Sequence, residues 1–148
     1  MKILIETDHA GFELKEQLKT FLEEKGFSVE DFGAKKYDEN DNFTEILTPL
    51  AFKIAEDPDK KGIVIGKSGQ GEAMVCNRFP GVRAIVYDGG NLEVVKLGRE
   101  HNDANVLALG AHFVPFPEAK QAVELWIATP FSTDPKYARR NEMLDNIS

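Results

Sequence analysis

Five short apolar runs, each separated from the next by a stretch of different pattern, constrain this chain more than any other feature. Lys2–Thr7, Phe27–Phe32, Gly62–Ile65, Val82–Tyr87 and Val106–Leu109 read as strands, being short, rich in Val and Ile and bounded by Gly, Asn or Asp. A helix is predicted over Phe12–Lys25, where Phe12, Leu14, Leu18, Phe21 and Leu22 form one stripe and Gly26 suits a C-cap. Helices are also predicted over Phe43–Glu56, Glu72–Arg78, Asn91–Gly98 and Glu118–Ala128. Pro130 then breaks the chain before a last helix, Asp134–Asn146. Strands that alternate with helices pair in parallel and need cover on both faces. The expected fold is therefore a three-layer α/β/α sandwich around a five-stranded parallel, doubly wound, Rossmann-like sheet. With 148 residues, 42% of them apolar, the chain suits a single domain over 1–148.

A net charge of -7 argues against nucleic acid as a partner, because duplex binding relies on Lys and Arg neutralising phosphates. A single phosphate is still within reach where a few cations and backbone amides converge. The apolar run at 3–5 is too short for a signal peptide, and no stretch approaches the roughly 20 apolar residues of a membrane span. Cys76 is the only cysteine, so no intrachain disulfide forms. A cytoplasmic protein is expected.

In doubly wound sheets ligands sit beyond the carboxyl ends of the strands. The first strand ends in Asp8-His9 and the third runs into the turn GKSGQGE, so both belong at that edge. The segment REHNDAN precedes the fifth strand and belongs at the opposite edge, unless a second subunit returns it to the site. The turn is not a nucleotide loop: Gly62 and Gly66 are separated by three residues where that motif needs four between its glycines, and Gly62 opens the strand. Gly69 and Gly71 allow a tight turn whose N–H groups can hold an oxyanion. Glu72 follows in the first helical turn. There it either complements the helix dipole or serves as a base for a proton alpha to a carbonyl.

The remaining polar residues carry two readings each. Asp8 and His9 are a helix cap and a half-buried histidine, or a ligand pair at the crevice. His101 is a surface histidine or an acid/base group. Lys136 and Arg140, four apart on one helix face, are solvated charge or a phosphate grip. Arg139 reads as surface, and Cys76 as core. The run DENDN at 38–42 lacks the glycine and the distal glutamate of a calcium loop. Three histidines without HExxH spacing give no metal site.

Taken in order, TDHAGFELK, the GxSGxGE turn, NRFPGVRA and REHNDANVLALG resemble the sugar-phosphate isomerase family that holds ribose-5-phosphate isomerase B and the galactose-6-phosphate isomerase subunits. The resemblance spans nearly the whole chain. It implies a cofactor-free and metal-free aldose–ketose isomerase of the pentose phosphate pathway, acting on ribose 5-phosphate and ribulose 5-phosphate through a cis-enediol. Many members carry a catalytic cysteine where this chain has Gly66. The sequence is similar instead to the branch whose base is a glutamate after the turn, here Glu72. The resemblance further implies that His101 opens the sugar ring and that Ser68, with the amides of Lys67, Gly69, Gln70 and Gly71, holds the enediolate. Asp8 and Asn102 would contact the sugar, and His9, Lys136 and Arg140 the phosphate. A homodimer or tetramer would share sites through His101 and Asn102, with the last helix on or near the neighbour. Departures at Lys67, His112, Lys136, Tyr137 and Phe43-Thr44 leave a hexose 6-phosphate, of the allose or galactose type, as the alternative substrate. A noncatalytic sugar-phosphate-binding module is the remaining class.

Overall fold

The computed structural model describes residues 1–33 and 42–147; most of the loop expected over 33–42, with the calcium-like run up to Asp41, lies outside them. Strands β1 (Lys2–Thr7), β2 (Ser28–Asp31), β3 (Lys61–Gly66), β4 (Ala84–Tyr87) and β5 (Val106–Gly110) form one sheet in the order β2-β1-β3-β5-β4, with every neighbouring pair parallel. Helices α1 (Phe12–Glu24), α4 (Glu93–Asn102) and α5 (Phe116–Ala128) cover one face through Leu18, Leu22, Val95 and Trp126. Helices α2 (Phe43–Glu56) and α3 (Gln70–Cys76) cover the other through Leu47, Leu50, Ile54, Ala73 and Cys76. Each crossover towards β2 runs over the first face and each crossover towards β4 over the second, as one constant handedness requires. The connections leave β1 and β3 towards opposite edges of the sheet, which opens a crevice at their carboxyl ends. Helix α6 (Pro135–Asp145) lies against α4, tied to the sheet by the Arg83 guanidinium on the Asp145 carboxylate at 2.9 Å.

Several predicted boundaries move, and those of α3 and α4 matter for function. Helix α3 begins at Gln70 rather than Glu72, because Gly69 takes φ 81 and the Ser68 hydroxyl accepts the Gln70 amide at 3.3 Å. It stops at Cys76, since the Asn77 side chain turns to pair with both backbone groups of Ala84. Helix α4 runs on past Gly98 to Asn102, until Asp103 at φ 47 ends it, so His101 sits on a helix rather than in a polar loop. Strand β4 begins at Ala84 instead of Val82, because Val82 is still held in the turn from Phe79.

Candidate active site

Three strand ends meet at the crevice. After β1, the Asp8 carboxylate caps a short 3-10 turn over His9–Gly11 by accepting the Ala10 amide at 2.9 Å. After β3, the turn Lys67–Gly69 leads into α3. After β5, the Ala111 amide donates to the Gly66 carbonyl at 2.8 Å and the His112 amide to the Lys67 carbonyl at 3.0 Å, so the two segments are stitched together. Gly69 also packs on the β5 backbone, where a Cβ would lie 3.1 Å from the Leu109 carbonyl carbon. Gln70 reaches across to the Asp88 carboxylate after β4 at 3.2 Å.

Glu72 is the centre of this arrangement. It is only 4% exposed, and its carboxylate lies over the Cα of Gly66, where any Cβ would come within 2.0 Å of Oε1. Burial pushes its pKa above the ordinary carboxylate value. Its own amide and that of Gly69 oppose the rise, while the charge and hydrogen bond of Asp8 add to it. The two carboxyls thus form a close pair. One amide expected to hold an oxyanion, that of Gly69, faces the Glu72 carboxylate.

The structure brings Asp8, His9, Lys67, Ser68, Gly69, Gln70, Gly71, Glu72 and His112 to this end of the sheet. His101, Asn102, Lys136 and Arg140 gather at the other end, before β5. The His101 ring stacks on Tyr137 with centroids 4.4 Å apart and planes 7° from parallel. Lys136 and Arg140 also lie over Tyr137, at 5.0 and 5.8 Å from its centroid. The buried Asn141 joins α6 to this segment, donating to the His101 carbonyl at 3.2 Å and accepting from the Asn102 amide at 3.3 Å. Sequence reasoning passed over Tyr137 as a partner of His101, and Asn141 altogether. The spacing of 137 and 141, four apart on one helix, was the available signal.

Cys76 is fully buried, and burial first, then Glu6 and Glu72, pushes its thiol up to about 12. Glu6 is a second buried carboxyl that the sequence did not single out: it is 0% exposed and neither oxygen has a hydrogen-bond partner. Among the described residues no three His, Cys, Asp or Glu side chains cluster as metal ligands, and no helix is long and apolar enough to cross a membrane.

A doubly wound sheet with a paired, buried carboxylate beside a glycine turn gathers groups capable of acid–base chemistry at its carboxyl edge. The family model described as Ribose/Galactose Isomerase matches residues 3–144, and the chain belongs to that family. Ribose-5-phosphate isomerase B of Mycolicibacterium paratuberculosis is 37% identical over 144 residues, covering 97% of this chain and 89% of that protein. The solved ribose-5-phosphate isomerase B of Clostridium thermocellum superposes with a TM-score of 0.91 at 34% identity, covering 98% of this chain and 95% of the other. The enzyme of the same name from Mycoplasma genitalium, solved with bound ribulose-5-phosphate, gives 0.90 at 30% identity, with 97% and 93% covered.

Proposed function

We propose that this chain is an aldose–ketose isomerase that interconverts ribose 5-phosphate and ribulose 5-phosphate, with Glu72 as the base. The observation that carries this is the Glu72 carboxylate, buried on Gly66 beside Asp8 with its pKa raised towards the range of a working base. Glu72 takes the C2 proton of the open-chain aldose. Negative charge moves to O1, where Ser68 and the amides of the turn other than that of Gly69 receive it. The O2 proton passes to O1, Glu72 returns its proton to C1, and the ketose is formed. This sequence of proton transfers calls on no metal or organic cofactor.

His101, Asn102, Lys136 and Arg140 lie at the far end of the sheet from Glu72. In this proposal a second copy supplies them, His101 opening the sugar ring and the two cations, with His9, holding the phosphate. The exposed Met143, Leu144 and Ile147 at the end of α6 support a covering copy there, and a homodimer in the cytoplasm is the simplest assembly. Glu72→Gln tests the base. It keeps the shape but accepts no proton, so kcat with ribose 5-phosphate should fall by about 10²–10⁴-fold. Near-normal turnover would remove Glu72 from the role. Lys67 and His112, both set at the mouth of the turn, favour testing allose and galactose 6-phosphates in the same assay. A higher kcat/KM for either would move the assignment to a hexose phosphate.

A further inference from the structure

Strand β1 and helix α3 face each other as a two-rung ladder of acidic groups. On β1, Glu6 and Asp8 are two residues apart and point to the same face of the sheet, about 6.6 Å apart along the strand. On α3, Glu72 and Cys76 are four residues apart on one side, about 6 Å apart along the axis. The helix returns antiparallel over the sheet, so the two spacings match. Asp8 meets Glu72 on the first rung, and Glu6 and Cys76 are coupled on the second.

The second rung is closed to solvent. Glu6 and Cys76 are both fully buried, and neither Glu6 oxygen has a partner at hydrogen-bond geometry, the Leu50 backbone acting on it from farther off. Each element around Glu6 adds something specific. Strand β2 presents Asp31 and α1 presents Lys15, which are ion-paired at 2.7 Å; α3 presents Cys76 and, one turn back, Glu72. Strand β3 pairs Val64 with Glu6, and α2 contributes apolar Leu47 and Ala51 to this face. Three carboxylates in such a setting, Glu6, Asp8 and Glu72, cannot all be ionised without heavy cost.

We propose that Glu6 is a positioning residue for the reaction, holding a proton behind the Asp8–Glu72 pair so that the pair, and then the enediolate, can carry the site's negative charge. Burial first, then Asp31, raises the Glu6 pKa to about 8, with Lys15 and the Leu50 backbone opposing, so the group is protonated at neutral pH. Above that point a charge appears about one strand pleat behind the base and opposes the developing oxyanion. This inference rests on Glu72 being the base, which Glu72→Gln tests separately.

The experiment is the pH profile of kcat/KM for the full chain and for Glu6→Gln, with glutamate carboxyls followed by 13C NMR in both. In the native protein kcat/KM should fall about tenfold between neutral pH and about pH 9.5, and Glu6→Gln should lose less than about twofold over the same range. One glutamate carboxyl should titrate near pH 8 and be missing from the Glu6→Gln spectrum. Superimposable alkaline limbs in the two proteins would overturn the proposal, as would a native spectrum in which every glutamate has titrated by about pH 6.5. If Glu6→Gln does not fold, Glu6→Met serves for the profile, and the native NMR titration stands by itself. A dead Glu72→Gln with unchanged Glu6→Gln limbs rejects only the Glu6 role; an active Glu72→Gln rejects the base.

Discussion

Placing a methyl group on Gly66 puts the geometry of the base to a direct test. A Cβ at this position lies 2.0 Å from Glu72 Oε1, 2.1 Å from Cδ and 2.4 Å from Oε2. Ordinary van der Waals contact begins at 3.4 Å, so the carboxylate must retreat by at least 3.4 − 2.0 = 1.4 Å. The atom displaced is the end of a flexible side chain, so the fold yields at small cost, while the reacting oxygen leaves its place. A misplacement of about 1 Å costs on the order of 10²-fold, or about 2.7 kcal/mol of activation free energy. Gly66→Ala should therefore lose at least about a hundredfold in kcat for ribose 5-phosphate while its thermal midpoint moves by less than about 4 °C. Gly62→Ala, on the same strand and face, is the control. Its Cβ meets the apolar Leu50 Cδ2 at 3.1 Å and Ile54 Cδ1 and Cγ1 at 3.5 and 3.7 Å, so it should cost stability and leave kcat alone. Steady-state assays and thermal melts of both variants decide the matter. A Gly66→Ala enzyme within about threefold of native kcat would refute the placement of Glu72 as the base.

Three further outcomes are expected. Because the Glu6 pKa rises from 4.5 to about 8 on folding, its contribution to stability is fully present below about 4.5 and is lost as pH rises to about 8, at about 1.4 kcal/mol per unit within that window. Urea unfolding at about pH 5.5 and 8.5 should accordingly show Glu6→Gln gaining about 3 kcal/mol on the native protein between the two, and a constant difference would contradict the buried, protonated acid. Cys76→Ala should keep most of its turnover while losing about 1–2 kcal/mol to a small cavity; a folded but inactive variant would return the cysteine to the chemistry. Co-expression of His101→Ala with Glu72→Gln should restore part of the activity that each lacks alone, since a mixed dimer holds one site with both groups intact, and inactive mixed dimers would reject the shared site.

The layers of the fold were legible because its periodicities are local. Lys2–Thr7 and Phe43–Glu56 emerge with the limits their patterns give. Ends set by tertiary contacts were not legible. The stop at Cys76 depends on the Asn77 side chain reaching Ala84, and the extension of α4 depends on Asp103 tolerating positive φ. In the site, glycine spacing and strand polarity pointed to Glu72 and to the separation of His101 from it. Glu6 escaped because it lies within a strand whose apolar neighbours explain its burial and say nothing about its charge. The Asp8–Glu72 pair joins residues 64 positions apart, and only the register of β1 on β3 brings their strand ends together.

The volume above Gly66 is claimed once. The Glu72 carboxylate fills it, and so would any side chain on the strand at residue 66. A side chain at residue 66 and the Glu72 carboxylate in its present place therefore exclude one another. The freedom to vary at this strand position is spent on seating the carboxylate, so the sequence at 66 is dictated by a residue one turn into the next helix rather than by the strand itself.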